Sequence, residues 1–61
     1  LSERELELLH GLVQGETYQT LAKKFFISPH TVKTHIKHIY KKLHVHSRAL
    51  AVRVALERGL V

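Results

Sequence analysis

The stretch that decides the fold is "ISPHTVKTHIKHIYKKL", which runs from Ile27 to Leu43. Ser28 followed by Pro29 predicts a helix start, because serine caps unpaired amides and proline at the first helical position has a suitable fixed φ and no amide to lose. At about 100° per residue, one side of this helix is apolar. Its members are Val32, Ile36, Ile39, Tyr40 and Leu43. We expect this side to lie in the core.

The opposite side of the same helix carries polar and basic side chains. They are His30, Thr34, Lys37, His38 and Lys41, with Lys33 at the edge. No Asp or Glu occurs between Glu16 and Glu57, although eight Lys and Arg residues do. A surface that is only solvated usually alternates the sign of its charges, so this segment predicts a polyanionic partner, nucleic acid before membrane.

Two helices are expected before this one. Ser2 followed three residues later by Glu5 predicts a capping box, and the helix that it starts should end near Gly15. Its apolar residues at helical spacing are Leu6, Leu9, Leu12 and Val13. Thr17 is the expected cap of a short second helix, from about Tyr18 to Phe25. The buried edge of that short helix is predicted to be Leu21, Ala22 and Phe25.

A fourth helix is expected after the long one. Ser47 is its predicted cap and Gly59 its predicted end. No segment has the alternation of a strand, so the pattern predicts an all-α, four-helix domain over residues 1–61.

Length and composition limit the function classes. A chain of 61 residues buries a thin core, so a deep catalytic cavity is not expected. The sequence has no cysteine and no long apolar span, and we expect a soluble, cytoplasmic protein. Because the chain starts without a methionine, we also expect a segment of a longer protein, with an N-terminal regulatory domain outside it.

The short helix, a tight turn at Phe26 and Ile27, and the long helix together form a helix-turn-helix. The second helix of this motif fits the DNA major groove, where side chains near the helix start reach base edges. A carboxylate in the basic row would be repelled by the phosphate backbone, which explains the absence of acids. Double-stranded DNA is therefore the expected partner.

Several motifs also resemble a known family. "LSERELELL", "LAKKFFISPHTVKTHIKHIYKKL", "SRALAV" and the closing "GL" are similar, in order and spacing, to the LuxR-type (FixJ/NarL-like) helix-turn-helix of bacterial transcription regulators. The resemblance covers nearly the whole chain. It implies a DNA-binding output domain in which the second and third helices form the reading head and the fourth supports a homodimer.

The resemblance also implies roles for individual residues. Those that match base-facing positions are Lys33, Thr34 and Lys37, and those that match backbone-contacting positions are Thr31, Lys23 and Lys24. The chain departs from the family at His44, where glycine is usual, and at His46, where a basic or small polar residue is common. A residue other than glycine is thus expected to adopt a positive φ in this loop.

The fourth helix carries the predicted dimer contact. Ala51, Val52 and Ala55 share one side and match core positions of the family. Leu50 and Val54 lie away from that side, four residues apart, and are expected to be surplus to the core. A self-complementary contact through them would set two copies of the third helix about 34 Å apart, one turn of DNA.

Other functions are less consistent with the sequence than DNA binding. Six histidines suggest a metal site, but no cysteine is present, and we expect neither a metal nor another cofactor. The carboxylates lie at the two ends of the chain, so no catalytic constellation and no enzyme activity are expected. His35 is expected to pack beside the apolar side. A sigma-factor-like promoter module, and a basic amphipathic helix that binds a membrane or partner protein, remain the alternatives.

Overall fold

The computed structural model covers residues 1–61, which form four α-helices and no strand. The helices are α1 (Glu3–Val13), α2 (Tyr18–Phe25), α3 (Pro29–Leu43) and α4 (Arg48–Glu57). α3 packs against each of the other three, and α1 also packs against α4. The predicted all-α, four-helix fold is confirmed. No helix combines the length and apolar character needed to cross a membrane.

Each helix begins directly after the residue predicted to cap it. Ser2 Oγ accepts a hydrogen bond from the Glu5 amide at 3.2 Å, and Glu5 Oε1 accepts one from the Ser2 amide at 2.8 Å, which completes the capping box. The hydroxyls of Thr17, Ser28 and Ser47 each accept from the amide three residues later, at 3.1 to 3.2 Å. Local chemistry thus determines where all four helices start.

Residues with positive φ follow the helix ends. Gly15 has a φ of 83°, as expected for the residue that stops α1. Phe26 and His44, after α2 and α3, adopt left-handed φ values of 57° and 58° without being glycine. This conformation strains an L-residue by roughly 1–2 kcal/mol. The positive φ expected at His44 is confirmed.

The core lies where α3 meets its neighbours. The buried apolar residues are Leu8, Leu9, Leu12, Leu21, Ala22, Val32, Ile36, Ile39, Leu43, Val45, Ala51 and Ala55. The apolar pattern of α1 was assigned partly wrongly, because Leu8 is fully buried whereas Leu6 and Val13 are half-buried. α1 contacts both α3 and α4, and the buried stripe follows these two contacts.

Two contacts made by single residues hold α1 against its neighbours. A side chain at the buried Gly11 would collide with Leu21, so glycine permits the close approach of α2. Arg48, at the start of α4, donates from Nη2 to the carbonyls of Leu12 at 3.1 Å and Glu16 at 2.7 Å. Leu12 lies in the last turn of α1 and Glu16 in the loop that follows it, so the guanidinium joins both to the start of α4.

Candidate nucleic-acid interface

The two sides of α3 have opposite surroundings. Val32, Ile36 and Ile39 are buried, with at most 1% of their surface exposed. The row on the other side is exposed and consists of His30, Lys33, Thr34, Lys37, His38 and Lys41. We call these six residues the basic row. A helix that lies on lipid needs a free apolar side, and the apolar side of α3 is occupied by the core.

The start of α3 holds its hydroxyl groups in local hydrogen bonds. Thr31 Oγ1 lies 2.9 Å from the capping Ser28 Oγ, and the Thr31 side chain is half-buried. Thr34 Oγ1 donates to the His30 carbonyl at 3.2 Å. The Thr34 hydroxyl is therefore left free to act as an acceptor, while its methyl group is exposed.

The lysines of the basic row take part in none of the three ion pairs in the structure. These pairs join Lys24 to Glu16 at 3.4 Å, Lys42 to Glu5 at 2.8 Å, and Arg53 to Glu57 at 3.4 Å. The carboxylates of Glu5 and Glu16 thus neutralise lysines that lie outside the row. The row itself keeps an uncompensated positive charge.

Of the two lysines at the end of α2, one forms an ion pair and the other does not. Lys23 is exposed and takes part in no ion pair, whereas Lys24 Nζ donates to Glu16 Oε2. Both lysines lie in the last turn of α2, where a cation also interacts favourably with the helix dipole. Lys23 is therefore more available to an external anion than Lys24.

Glu5 is the buried charged residue of the fold, with 6% of its surface exposed. Its Oε1 accepts from Lys42 Nζ at 2.8 Å in addition to the Ser2 amide. The hydrogen bond from Lys42, followed by that from the Ser2 backbone, lowers the pKa of Glu5 from 4.5 to about 2, against the opposing effect of burial. This contact links the start of α1 to the end of α3.

Sequence reasoning identified neither the burial of Glu5 nor the two carbonyl contacts of Arg48. The capping-box pattern explained Glu5 fully, and no local signal pointed to a partner 37 residues away. The absence of acids between Glu16 and Glu57 could have indicated such contacts, because a lysine in this segment can form an ion pair only with a carboxylate outside it.

The histidines are spread over the surface. His30 and His38 are exposed, and His35 is half-buried beside the apolar side of α3. No group of three or more His, Asp and Glu side chains is arranged so that it could hold a metal ion.

The expected dimer residues differ in exposure. Leu50 is 45% exposed, but Val54 is half-buried and packs against the core. The expectation that Val54 is surplus to the core is therefore wrong. Leu50 precedes Ala51 by one position and Val54 follows it by three. At about 100° per residue, Val54 therefore lies only about 60° from Ala51 around the helix, whereas Leu50 lies about 100° away. A second exposed apolar residue of α4 is Leu56, at 59%.

Comparison with known proteins places this arrangement in a family. The family described as "Bacterial regulatory proteins, luxR family" matches residues 1–55. The chain is 39% identical over 61 residues to "Probable transcriptional regulatory protein NarL" of Mycobacterium tuberculosis, which covers 100% of this chain and 28% of that protein. It is 43% identical over 58 residues to "Nitrate/nitrite response regulator protein NarP" of Escherichia coli, covering 95% of this chain and 27% of that protein.

A solved structure shares the same fold. Response regulator ChrA of a heme-sensing two-component system matches with a TM-score of 0.95 and 49% identity, over 100% of this chain and 30% of that chain. The chain thus spans less than a third of the length of each of these relatives. Since the family match extends over residues 1–55 and includes all of α1, α2 and α3, the chain belongs to the luxR family of bacterial regulatory proteins, as a helix-turn-helix domain.

Proposed function

We propose that this domain binds double-stranded DNA sequence-specifically, with α3 in the major groove, as the output part of a transcription regulator. The observation that carries the proposal is the basic row, whose lysines take part in no ion pair although four glutamates lie on or beside α1. Unpaired lysines on the exposed side of a helix are suited to phosphates and to guanine acceptors.

The position along α3 suggests which residues read bases. Side chains near the start of a recognition helix reach base edges, so Lys33, Thr34 and Lys37 are assigned to bases. The residues assigned to the phosphate backbone are Thr31, Lys41, Lys23 and Lys24, with His30 and His38 as further contacts at the groove. The hydrogen bond of Thr31 to Ser28 and the ion pair of Lys24 make these two the weaker members of the set.

The test begins with a binding site selected from a pool of random duplexes. Titrations of the selected duplex and a scrambled duplex, at several salt concentrations, give the specificity ratio and the number of phosphates neutralised. We expect tighter binding to the selected duplex and a steep loss of affinity with salt. Equal, salt-independent binding to both duplexes would contradict the proposal.

We also propose that two copies pair on DNA through α4. Leu50 is exposed on this helix, and the accessible edge of Val54 lies one turn further along. A patch this small is expected to associate weakly, so pairing should depend on a duplex with two half-sites. Leu50→Glu should abolish cooperative occupancy of such a duplex and leave binding to a single half-site nearly intact.

The matched control for this test is Leu56→Glu, an equally drastic change on another side of α4. It should leave cooperativity unchanged. Loss of cooperativity in the Leu56 variant, with retention in the Leu50 variant, would assign the interface to the other side of the helix.

The complete protein is proposed to be longer than this domain and to act in the cytoplasm. The relatives NarL and NarP are each more than three times as long as the stretch that matches. In a protein of that length, a further domain would receive the signal and control the spacing of two DNA-binding domains. Sequencing the full reading frame tests this, and a frame that encodes these 61 residues alone would contradict it.

A further inference from the structure

A cleft lies at the end of α3, and Lys37 is the one residue assigned to bases that also lines it. It has a volume of about 470 Å³ and is lined by Lys37, Tyr40, Lys41, His44, Val45 and His46. We call it the α3–α4 cleft. Its lining includes two lysines and two histidines and no carboxylate.

The backbone holds this cleft in shape. The left-handed His44 turns the chain away from α3, and its amide donates to the Lys41 carbonyl at 3.2 Å. The next amide, of Val45, donates to the Tyr40 carbonyl at 3.0 Å, and Val45 is buried. His44 and His46 therefore flank a residue anchored in the core, and their exposed side chains project from a fixed loop.

The charges around the cleft are of one sign. From α3 it is lined by Lys37, Tyr40 and Lys41, and from the loop by His44, Val45 and His46. Tyr40 also lies close enough to Tyr18 of α2 and Arg48 of α4 for these groups to affect its pKa, which burial raises above the ordinary value. The acids that pair with lysines do so at Lys24 and Lys42, outside the cleft. A phosphate group would meet donors and positive charge here, and no repelling carboxylate.

The length of α3 places the cleft above the DNA backbone. His44 follows Lys33 by eleven positions, about 16 Å along the helix axis at 1.5 Å per residue. The major groove is about 12 Å wide. If the start of α3 lies at the bases, the end of the helix and its loop lie over the phosphates that border the groove.

We propose that the α3–α4 cleft is a phosphate-binding site, occupied by a backbone phosphate of the bound DNA, and that its affinity rises when His44 and His46 are protonated. The inference rests on the proposed DNA-binding function and adds residues that the sequence did not assign to it. Imidazole gains its positive charge as the pH falls through the range just below neutrality, so the additional attraction should be present at about pH 6 and absent at about pH 8.

The test compares the wild-type domain with the double variant His44→Gly/His46→Gln at both pH values. Glycine suits the left-handed backbone at position 44, so the loop keeps its conformation. Affinity is measured for the selected duplex and the scrambled duplex over a range of salt concentrations. At about pH 6 the double variant should bind both duplexes about threefold to tenfold more weakly than wild type, with a salt slope smaller by about 1. At about pH 8 the difference should largely disappear.

Two controls separate this inference from the function on which it rests. His10→Gln removes an exposed imidazole on α1, away from the cleft, and should leave the pH dependence unchanged. Lys33→Ala reports on base reading by α3, because Lys33 is assigned to bases and does not line the cleft. If Lys33→Ala weakens binding while the histidine double variant matches wild type at both pH values, the cleft assignment is overturned and the proposed function stands. If wild type binds neither duplex, the cleft assignment and the proposed function are both overturned.

A last arm distinguishes the phosphate of DNA from free phosphate. Inorganic phosphate is titrated into the ¹⁵N-labelled domain at about pH 6, and the amide resonances of residues 40–46 are followed. Shifts that saturate only at millimolar concentrations or above, and that are lost in the double variant, support a site whose occupant is a phosphate of DNA. Saturation at micromolar concentrations would show a dedicated site for a free phosphate ligand and overturn the assignment to the DNA backbone.

Discussion

Lys41 and Lys42 are neighbours in the sequence, but α3 places them on different sides. Lys41 projects from the basic row and takes part in no ion pair, whereas the Lys42 ammonium donates to the buried carboxylate of Glu5. The first is available to a partner and the second helps to hold the domain together. A run of basic residues therefore contains two populations of cations, and the carboxylates of another helix separate them.

The largest expected effect comes from the buried side of α3. Ile36→Ala should lower the free energy of unfolding by about 2–5 kcal/mol, because it removes a fully buried side chain and leaves a cavity. A domain of this size has little stability to lose, so much of the variant should be unfolded. Urea unfolding followed by circular dichroism measures this. Lys33→Ala, on the exposed side of the same helix, is the control and should change stability by less than about 0.5 kcal/mol.

The next effect comes from the exposed side. Lys37→Ala should weaken binding to the selected duplex by about 1–3 kcal/mol and relax the base preference at one position, since a lysine that contacts guanine discriminates against other bases. Its thermal unfolding should match that of wild type. A uniform loss of affinity for every duplex would move Lys37 from base reading to a phosphate contact.

The contact between Glu5 and Lys42 should make the free energy of unfolding depend on pH in the acidic range. Because the pKa of Glu5 is lowered from 4.5 to about 2 in the folded domain, its stabilising contribution is complete above about pH 4.5 and is lost as the pH falls towards 2. The contribution should be about 1–2 kcal/mol, since part of the Lys42 side chain is in water, which screens the charge.

Unfolding measured across this pH range tests the contact. Glu5→Gln should be less stable than wild type at neutral pH, and its stability should fall less as acid is added. Glu7→Gln, an exposed glutamate on the same helix, should leave the acid profile close to that of wild type. Parallel profiles for wild type and Glu5→Gln would show that the carboxylate contributes nothing.

The smallest effect on DNA binding is expected at Lys41, and it is best compared with the effect of changing its neighbour Lys42. Lys41→Ala should weaken binding to all duplexes alike, by up to about 1 kcal/mol, and reduce the salt slope by about 1. Lys42→Ala should leave the salt slope unchanged and instead reduce stability by about 1–2 kcal/mol, because the buried Glu5 carboxylate loses its ammonium partner. An equal loss of DNA affinity in both variants would mean that the ion pair with Glu5 opens when DNA binds.

Much of the fold followed from the sequence because its signals are local. The caps at Ser2, Thr17, Ser28 and Ser47 each act within three residues, and the apolar side of α3 repeats at helical spacing. The same periodicity identified the exposed side of α3. These features depend on the order of nearby residues and on nothing else in the chain.

The features that sequence reasoning missed all depend on how helices are arranged in space. The contacts made by Glu5 and Arg48 join segments that lie far apart in the chain. The packing of Val54 against the core depends on the angle between helices. A correct prediction of the four helices does not determine these contacts, since many arrangements of the helices bury the same apolar side. The division of the lysines into free and paired groups was therefore not predictable from charge alone.

The basic row has a consequence for protein engineering. Its side chains make no hydrogen bond to another helix, and α3 is framed by the Ser28 cap at one end and the His44 turn at the other. The positions that meet the partner can thus be varied while those that build the domain stay unchanged. A library randomised at the exposed positions of α3 should retain folded members in high proportion and yield domains with new operator preferences. The exposed side of α3 can then be exchanged to change DNA preference, while the rest of the domain stays the same.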